Sequence, residues 1–269
     1  MNFNRIILLI VVLPILTGSL SYSSEIDTAE TISNRFSFAI RYLGMKVTEV
    51  DLIDSQKDDG GTIEVKATSV SFGKLLFRVN NTYKIEYSGS YLPNQYDKMI
   101  RQKNFSQHKR NMFDRSGGRL LTWTDGEYEE FLDMELDNCR DFFSALLSLR
   151  VASTIENLTV YANNNLWNGQ LTYLGNDVVD KKKTDKYRIQ FSQITDNRTR
   201  RSDVLTNNIV KEVSFLYLWI TDDEMRLPVK AEYDASPFSV FWTLEDYQIS
   251  HSVKQSETSS NYDEYYERQ

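Results

Sequence analysis

The side chains whose types and spacing come nearest to chemistry are few. Asp222-Asp223-Glu224 is the densest acidic run that follows an apolar stretch. Clustered carboxylates suit calcium, which takes oxygen ligands. The alternative is a solvated turn whose Asp side chains accept from nearby backbone N–H groups. Cys139 stands two residues before Asp141, at the start of an apolar run. A helix N-terminus there would activate a thiol; a buried, inert thiol is the other reading. Asp125, Glu127, Glu129 and Glu130 form a second acidic stretch, read as a strand edge or loop. Carboxylate pairs of the glycosidase kind are made in space, so sequence alone does not pair these four. Ser144 lacks the glycine-flanked elbow of a hydrolase nucleophile. His108 and His251 are far apart, which argues against a histidine-based metal site. No Gly-rich phosphate loop is present. The sequence therefore assigns no catalytic residue, no metal ligand and no cofactor.

Composition bounds the class of function. The 269 residues carry 31 Lys+Arg against 38 Asp+Glu, a formal net charge of −7, and 41% are hydrophobic. That balance belongs to a soluble globular protein. The acidic excess speaks against a nucleic-acid partner, and a single Cys against a disulfide framework. Residues 1–23 read as a secretory signal peptide. Arg5 supplies the charge, Ile6 to Leu16 the apolar run, and Ser21 and Ser23 the small residues before cleavage. A run of 11 residues is too short to span a bilayer of roughly 30 Å. The expected address is the periplasm or cell envelope, with no membrane span once the signal is removed. Residues 24–250 read as a single β-rich domain, and residues 251–269, polar and acidic, as a disordered tail.

The elements that must position any site are mostly strands. Phe36, Phe38, Ile40 and Tyr42 alternate with Ser37, Ala39 and Arg41. Ile63, Val65 and Ala67 alternate with Glu64 and Lys66, and Tyr83, Ile85 and Tyr87 with Lys84 and Glu86. Gly117-Gly118 marks a turn, and further strands fit 158–162, 169–174, 187–194, 213–220, 228–233 and 238–247. Many short strands predict a mostly β fold: one curved antiparallel sheet, a half-barrel or open barrel, with one or two short packing helices. The best helix is 142–150. Asp141 caps its start, Ser144 and Ala145 allow close packing on the sheet, and Arg150 suits the negative end of its dipole. A weaker helix lies around Val70 to Phe77. Two late strands are apolar on both faces and so must be covered on both. One cover is read as a helix. The other is the barrel interior, filled by side chains or by an apolar ligand. Phe215, Trp219, Val240 and Trp242 are the residues expected to line it.

At the helix the sequence resembles a family. Asp141-Phe142-Phe143-Ser144-Ala145-Leu146-Leu147-Ser148-Leu149-Arg150 is similar to the first signature of the exported bacterial proteins grouped as domain of unknown function 3108. Leu218-Trp219-Ile220-Thr221-Asp222-Asp223-Glu224-Met225-Arg226-Leu227-Pro228-Val229-Lys230 resembles their second. Met112-Phe113-Asp114-Arg115 and the strand pair around Gly44 also fit. The likeness spans roughly residues 34–250. It departs where the turn into the last strand reads Ala235-Ser236-Pro237 instead of a glycine. The resemblance implies an envelope protein with a curved sheet, similar to periplasmic lipoprotein carriers, and makes Asp141, Ser144, Ala145, Arg150, Asp222, Asp223 and Pro228 structural motif residues. Three functions follow as expectations: a non-enzymatic carrier of a hydrophobic small molecule or lipid, a solid-cored protein that binds an envelope partner, or an envelope enzyme acting on glycan or lipid. The processing expectation has a direct check. N-terminal sequencing of exported protein should begin near Ser24, and membrane-associated material that still starts at Met1 would refute it.

Overall fold

Tyr83, Ile85 and Tyr87 are buried while Thr82, Lys84 and Glu86 are exposed, so the sequence alternation becomes a two-faced strand. The pattern repeats along the chain. The computed structural model describes residues 29–254 apart from 71–72, 77, 152–156, 198–202, 213–214 and 236–237. The signal segment, the basic cluster Arg198, Arg200 and Arg201, Ser236-Pro237 and residues 255–269 lie outside the described residues.

The first eight strands are β1 (Ala29–Tyr42), β2 (Met45–Lys57), β3 (Gly60–Ser69), β4 (Asn80–Ser88), β5 (Leu92–Gln102), β6 (Phe105–Asp114), β7 (Arg119–Thr124) and β8 (Glu127–Phe131). The rest are β9 (Cys139–Asp141), β10 (Asn157–Ala162), β11 (Asn165–Val179), β12 (Lys182–Gln193), β13 (Phe215–Thr221), β14 (Pro228–Ala235) and β15 (Phe238–Lys254). Three short helices are α1 (Gly73–Leu76), α2 (Phe142–Val151) and α3 (Val204–Asn207). Among the described residues no helix is long and apolar enough to cross a membrane.

All fifteen strands join one sheet in the order β8-β7-β6-β5-β4-β3-β2-β1-β15-β14-β13-β12-β11-β10-β9, which does not close into a barrel. Each half is a meander, and the pairing of β1 with β15 joins them. The expected strands are present. The sheet is mixed, because β9 and β10 are parallel. Helix α2 is the crossover between them, since parallel neighbours cannot be joined by a hairpin. Strand β15 also runs on to Lys254, with His251 opposite Ile32, so residues 251–254 are strand and not tail. The β1–β2 hairpin turns through Leu43 (φ 53°) and Gly44 (φ 76°). Two positive φ values in a two-residue loop match the twist of the flanking strands. The β14–β15 hairpin closes with Ala235 opposite Phe238, so the departure from glycine leaves the pairing intact.

The sheet is curved enough for its flanks to touch. Tyr161 of β10 meets Phe113 of β6 edge-on at 5.7 Å, and its hydroxyl donates to Asn111 Oδ1 at 2.9 Å. Those strands lie near opposite ends of the sheet. Strand β10 is accordingly buried on both faces, by Val160 on one and Tyr161 on the other. Helix α2 fills the concave side. Phe143 packs on Tyr83 of β4 at 5.0 Å, and Phe142 on Trp242 of β15 at 6.5 Å.

Asp141 caps α2 as expected. Its Oδ1 accepts from the backbone N–H groups of Phe143 at 2.9 Å and Ser144 at 3.2 Å. Asp141→Ala should cost about 0.5–2 kcal/mol. Asp141→Asn should cost less, because an amide oxygen still accepts. Burial raises the Asp141 pKa above its usual value. The folded state then holds this proton longer than the unfolded state, so stability falls as pH rises through the carboxylate range to the raised pKa. Urea midpoints measured across that range should show the fall in the unaltered protein and less of it in Asp141→Asn.

Candidate functional site

The inner face is the natural place for a ligand, and the register decides which residues line it. Trp242 stands opposite Ile40 and Ala231, and Val240 opposite Tyr42 and Tyr233. Both therefore share the face of Phe38 and α2, and Trp242 lies 6.3 Å from Phe38. On β13 the inward set is Leu216 and Leu218, which pair with Tyr233 and Ala231. Phe215 and Trp219 point the other way. The four residues expected to line one cavity thus divide between two faces, because a strand turns successive side chains to opposite sides.

The outer row has its own explanation. Trp219 is 3% exposed although it faces away from α2. Lys230 Nζ sits 4.1 Å and Lys186 Nζ 4.7 Å from its ring centre. Its Nε1 donates to Asp177 Oδ2 at 2.9 Å. The lysine stems from the neighbouring strands shield the ring while their ammoniums stay on its π face. Phe215, at the end of the row, is 38% exposed under Arg188.

The signature residues meet in space. Arg150 donates through Nε and Nη2 to the carbonyl of Met225 at 3.3 and 3.2 Å, and its guanidinium lies 4.9 Å over Phe36. The end of α2 is thus tied to the turn between β13 and β14. That turn is held by Asp223, whose Oδ1 accepts from Thr221 Oγ1 at 2.7 Å, Met225 N at 3.1 Å and Arg226 N at 3.0 Å. Asp222 and Glu224 are exposed, and Pro228 opens β14. Asp223 makes this the solvated turn, and among the described residues no group of three or more His, Cys, Asp or Glu is placed to hold a metal ion. Arg115 plays the same part elsewhere. It donates to the carbonyls of Leu136, Pro93 (2.7 Å) and Cys139 (3.3 Å). Ser144 is fully buried and Ala145 nearly so. Cys139 is buried too, which pushes its thiol up to about 12 and makes it inert.

Several buried polar residues on the inner face escape sequence reasoning. Asp203 accepts five hydrogen bonds, from Asn81 (3.1 Å), Tyr83 (2.8 Å), Gln102 (3.1 Å), Leu205 N (2.9 Å) and Thr206 (3.1 Å). It caps α3 and pins it to β4 and β5. Asp54 accepts from Tyr87, Tyr91 and Gln56, each at 2.7 Å. Burial raises both phenol pKa values, so the tyrosines stay donors. Lys98 of β5 and Lys109 of β6 are direct cross-strand partners, each 5% exposed. Lys109 Nζ donates to Asn164 Oδ1 in the β10–β11 turn. The Lys98 ammonium lies 5.4 Å over the Tyr96 ring. The available signal was parity: Lys98 shares the side of Tyr96 and Ile100, and Lys109 that of Phe113.

A single rolled sheet with one apolar side, crossed inside by a helix, defines a β-barrel-like protein. The sequence profile described as "Protein of unknown function (DUF3108)" matches residues 37–237, and the chain belongs to that family. No curated protein matches it in sequence. Among solved structures, a β-barrel-like protein of domain of unknown function DUF1849 from Brucella abortus is similar, with TM-score 0.51 and 7% identity over 83% of this chain and 98% of that one. That likeness concerns the fold alone. The Mycobacterium tuberculosis lipoprotein LppX overlaps with TM-score 0.26 and 12% identity over 80% of this chain and 85% of that one. A DUF1329 family protein from Desulfovibrio piger overlaps with TM-score 0.19 and 7% identity, over 87% and 89%.

The lysine pair has a measurable signature. Burial first, then the Lys98 charge, pushes the Lys109 pKa down to about 7, against the pull of Glu129. An unfolded lysine titrates near about 10.4. Between these values the unfolded state holds more protons, so stability rises with pH. Thermal midpoints should climb over that window in the unaltered protein and stay flatter in Lys109→Met.

Proposed function

We propose that this is an exported envelope protein that binds an apolar, acyl-type ligand along the inner face of its rolled sheet and does not alter it chemically. One observation carries the reading. The flanks of the sheet meet through side chains, Tyr161 on Phe113 and Asn111, and Lys109 on Asn164. No ladder joins β8 to β9 among the described residues. A seam of this kind can part without breaking backbone hydrogen bonds. It would open onto Phe38, Phe142, Val240 and Trp242, groups that prefer an apolar guest to water. Two further points support the reading. Residues 1–23 have the charged, apolar and small-residue order of an export signal. The buried acids Asp54, Asp141 and Asp203 all spend oxygens on structural hydrogen bonds.

The rival reading is an envelope interaction protein with a solid core. It is favoured by the close packing of Phe142 on Phe143 at 5.4 Å and on Trp242 at 6.5 Å. One paired measurement separates the two: fluorescent fatty-acid binding and unfolding free energy for the unaltered protein and Trp242→Ala. In a solid core the substitution should cost about 3–5 kcal/mol, and the parent should bind no probe. If Trp242 borders a ligand space it has fewer protein contacts to lose. Probe affinity should then drop while stability falls less. Co-purifying lipid in mass spectra would favour the carrier.

A further inference from the structure

Two cations placed side by side in an apolar interior need a reason. Lys98 and Lys109 stand directly opposite in the β5–β6 ladder, on the inner face, and each is 5% exposed. Like charges in this position repel, and burial strips both of water. Among the described residues no carboxylate forms an ion pair with either ammonium. The Lys98 ammonium has no hydrogen-bond acceptor there, only the Tyr96 ring. The nearby acids are otherwise engaged. Asp203 takes five donors, and Asp141 caps α2. Glu129, which shares the inner face two strands along, is exposed. Asp54 and Asp203 are surrounded by their donors, and Asp141 spends one oxygen on the α2 cap while its Oδ2 has no hydrogen-bond partner and forms no ion pair with either lysine.

Their place in the fold is informative too. Lys109 contacts Asn164, and its neighbour Asn111 contacts Tyr161, so the pair lies beside the seam between β6 and β10. An amphiphile entering the roll tail first would leave its polar head there, nearest to water.

We propose that Lys98 and Lys109 receive the anionic head, a carboxylate or a phosphate, of the ligand held by the rolled sheet. This rests on the acyl-carrier reading above and adds the class of head group. The anion would accept charge-assisted hydrogen bonds from both ammoniums and relieve their repulsion. Lys109 bears a proton only part of the time near neutral pH, its pKa being about 7, and an arriving anion would draw it to the charged form.

The test compares three probes on the full mature chain: a fluorescent long-chain fatty acid, its methyl ester, and inorganic phosphate. The unaltered protein should prefer the acid over the ester by about tenfold or more, the scale of a charge-assisted contact in a buried site. Lys98→Met and Lys109→Met should each reduce that preference, and the double variant should abolish it. Removing an unpaired buried charge should also raise the thermal midpoint, whereas a merely structural lysine would lower it. Equal binding of acid and ester by the unaltered protein would overturn the anion site and leave the apolar ligand standing. Lysine-dependent binding of phosphate, with neither acyl probe bound, would keep the anion site and remove the acyl ligand. Binding of none of the three would overturn both. If a variant fails to fold, the acid-to-ester ratio of the unaltered protein decides the matter, and because the site is buried that ratio should persist at high salt.

Discussion

A sheet of fifteen strands with one apolar face must hide that face, and since the described residues hold no second sheet to cover it, this one hides it against itself. Everything else in the molecule follows from that constraint. The roll brings β6 against β10, and α2 fills the space that remains inside. The pairing of β1 with β15 puts both ends of the described chain in the middle of the sheet. Among the described residues β8 and β9 are the edges. Strand β8 exposes Glu127, Glu129 and Glu130, charges that discourage pairing with another chain, and β9 is three residues long.

A face closed on itself is costly ground for polar groups, and the way each is treated separates scaffold from site. Asp54 lies where the parity of β2 would put Leu or Val, and Asp203 is the buried cap of α3, but their oxygens are met by tyrosine, amide and backbone donors. Such saturated networks fix a register and dock a segment, as Asp203 docks α3. The lysine pair has no such shell. A buried charge without a partner is destabilising, and proteins keep such features where function depends on them.

Local pattern carried most of the architecture. The alternation of Ile63, Val65 and Ala67, the Asp141 cap and the apolar run behind it all concern neighbours in sequence, and all are present. What failed was facing. Strand β13 is apolar on both sides, so its own residues cannot say whether Phe215 and Trp219 or Leu216 and Leu218 turn inward. That is settled by Lys186 and Lys230, which flank Trp219 from β12 and β14. The parallel strand β9, only Cys139 to Asp141, is too short to show a period. Lys98 was hidden for the opposite reason. Its parity with Tyr96 and Ile100 was the one local signal, and it is outweighed by the outward preference of lysine until the register of β4, β5 and β6 is known.

Three arginines bear on how such a roll could yield. A backbone ladder is a row of hydrogen bonds that are lost together, each worth about 1 kcal/mol net. The seam between β6 and β10 holds only a few side-chain contacts. It is the line along which the flanks separate at least cost. Arg115 spans that line, since it leaves the β6–β7 turn to reach the carbonyls of Leu136 and Cys139. Arg150 does not; it binds α2 to the β13–β14 turn, on the other side of the sheet's centre. Parting the seam would therefore break Arg115's bonds to Leu136 and Cys139 and those of Arg140 in β9 to the carbonyl of Ser90, and leave those of Arg150 in place. Helix α2 itself touches both halves of the sheet, through Arg150 on the β13–β14 turn and through Phe143 on Tyr83 of β4.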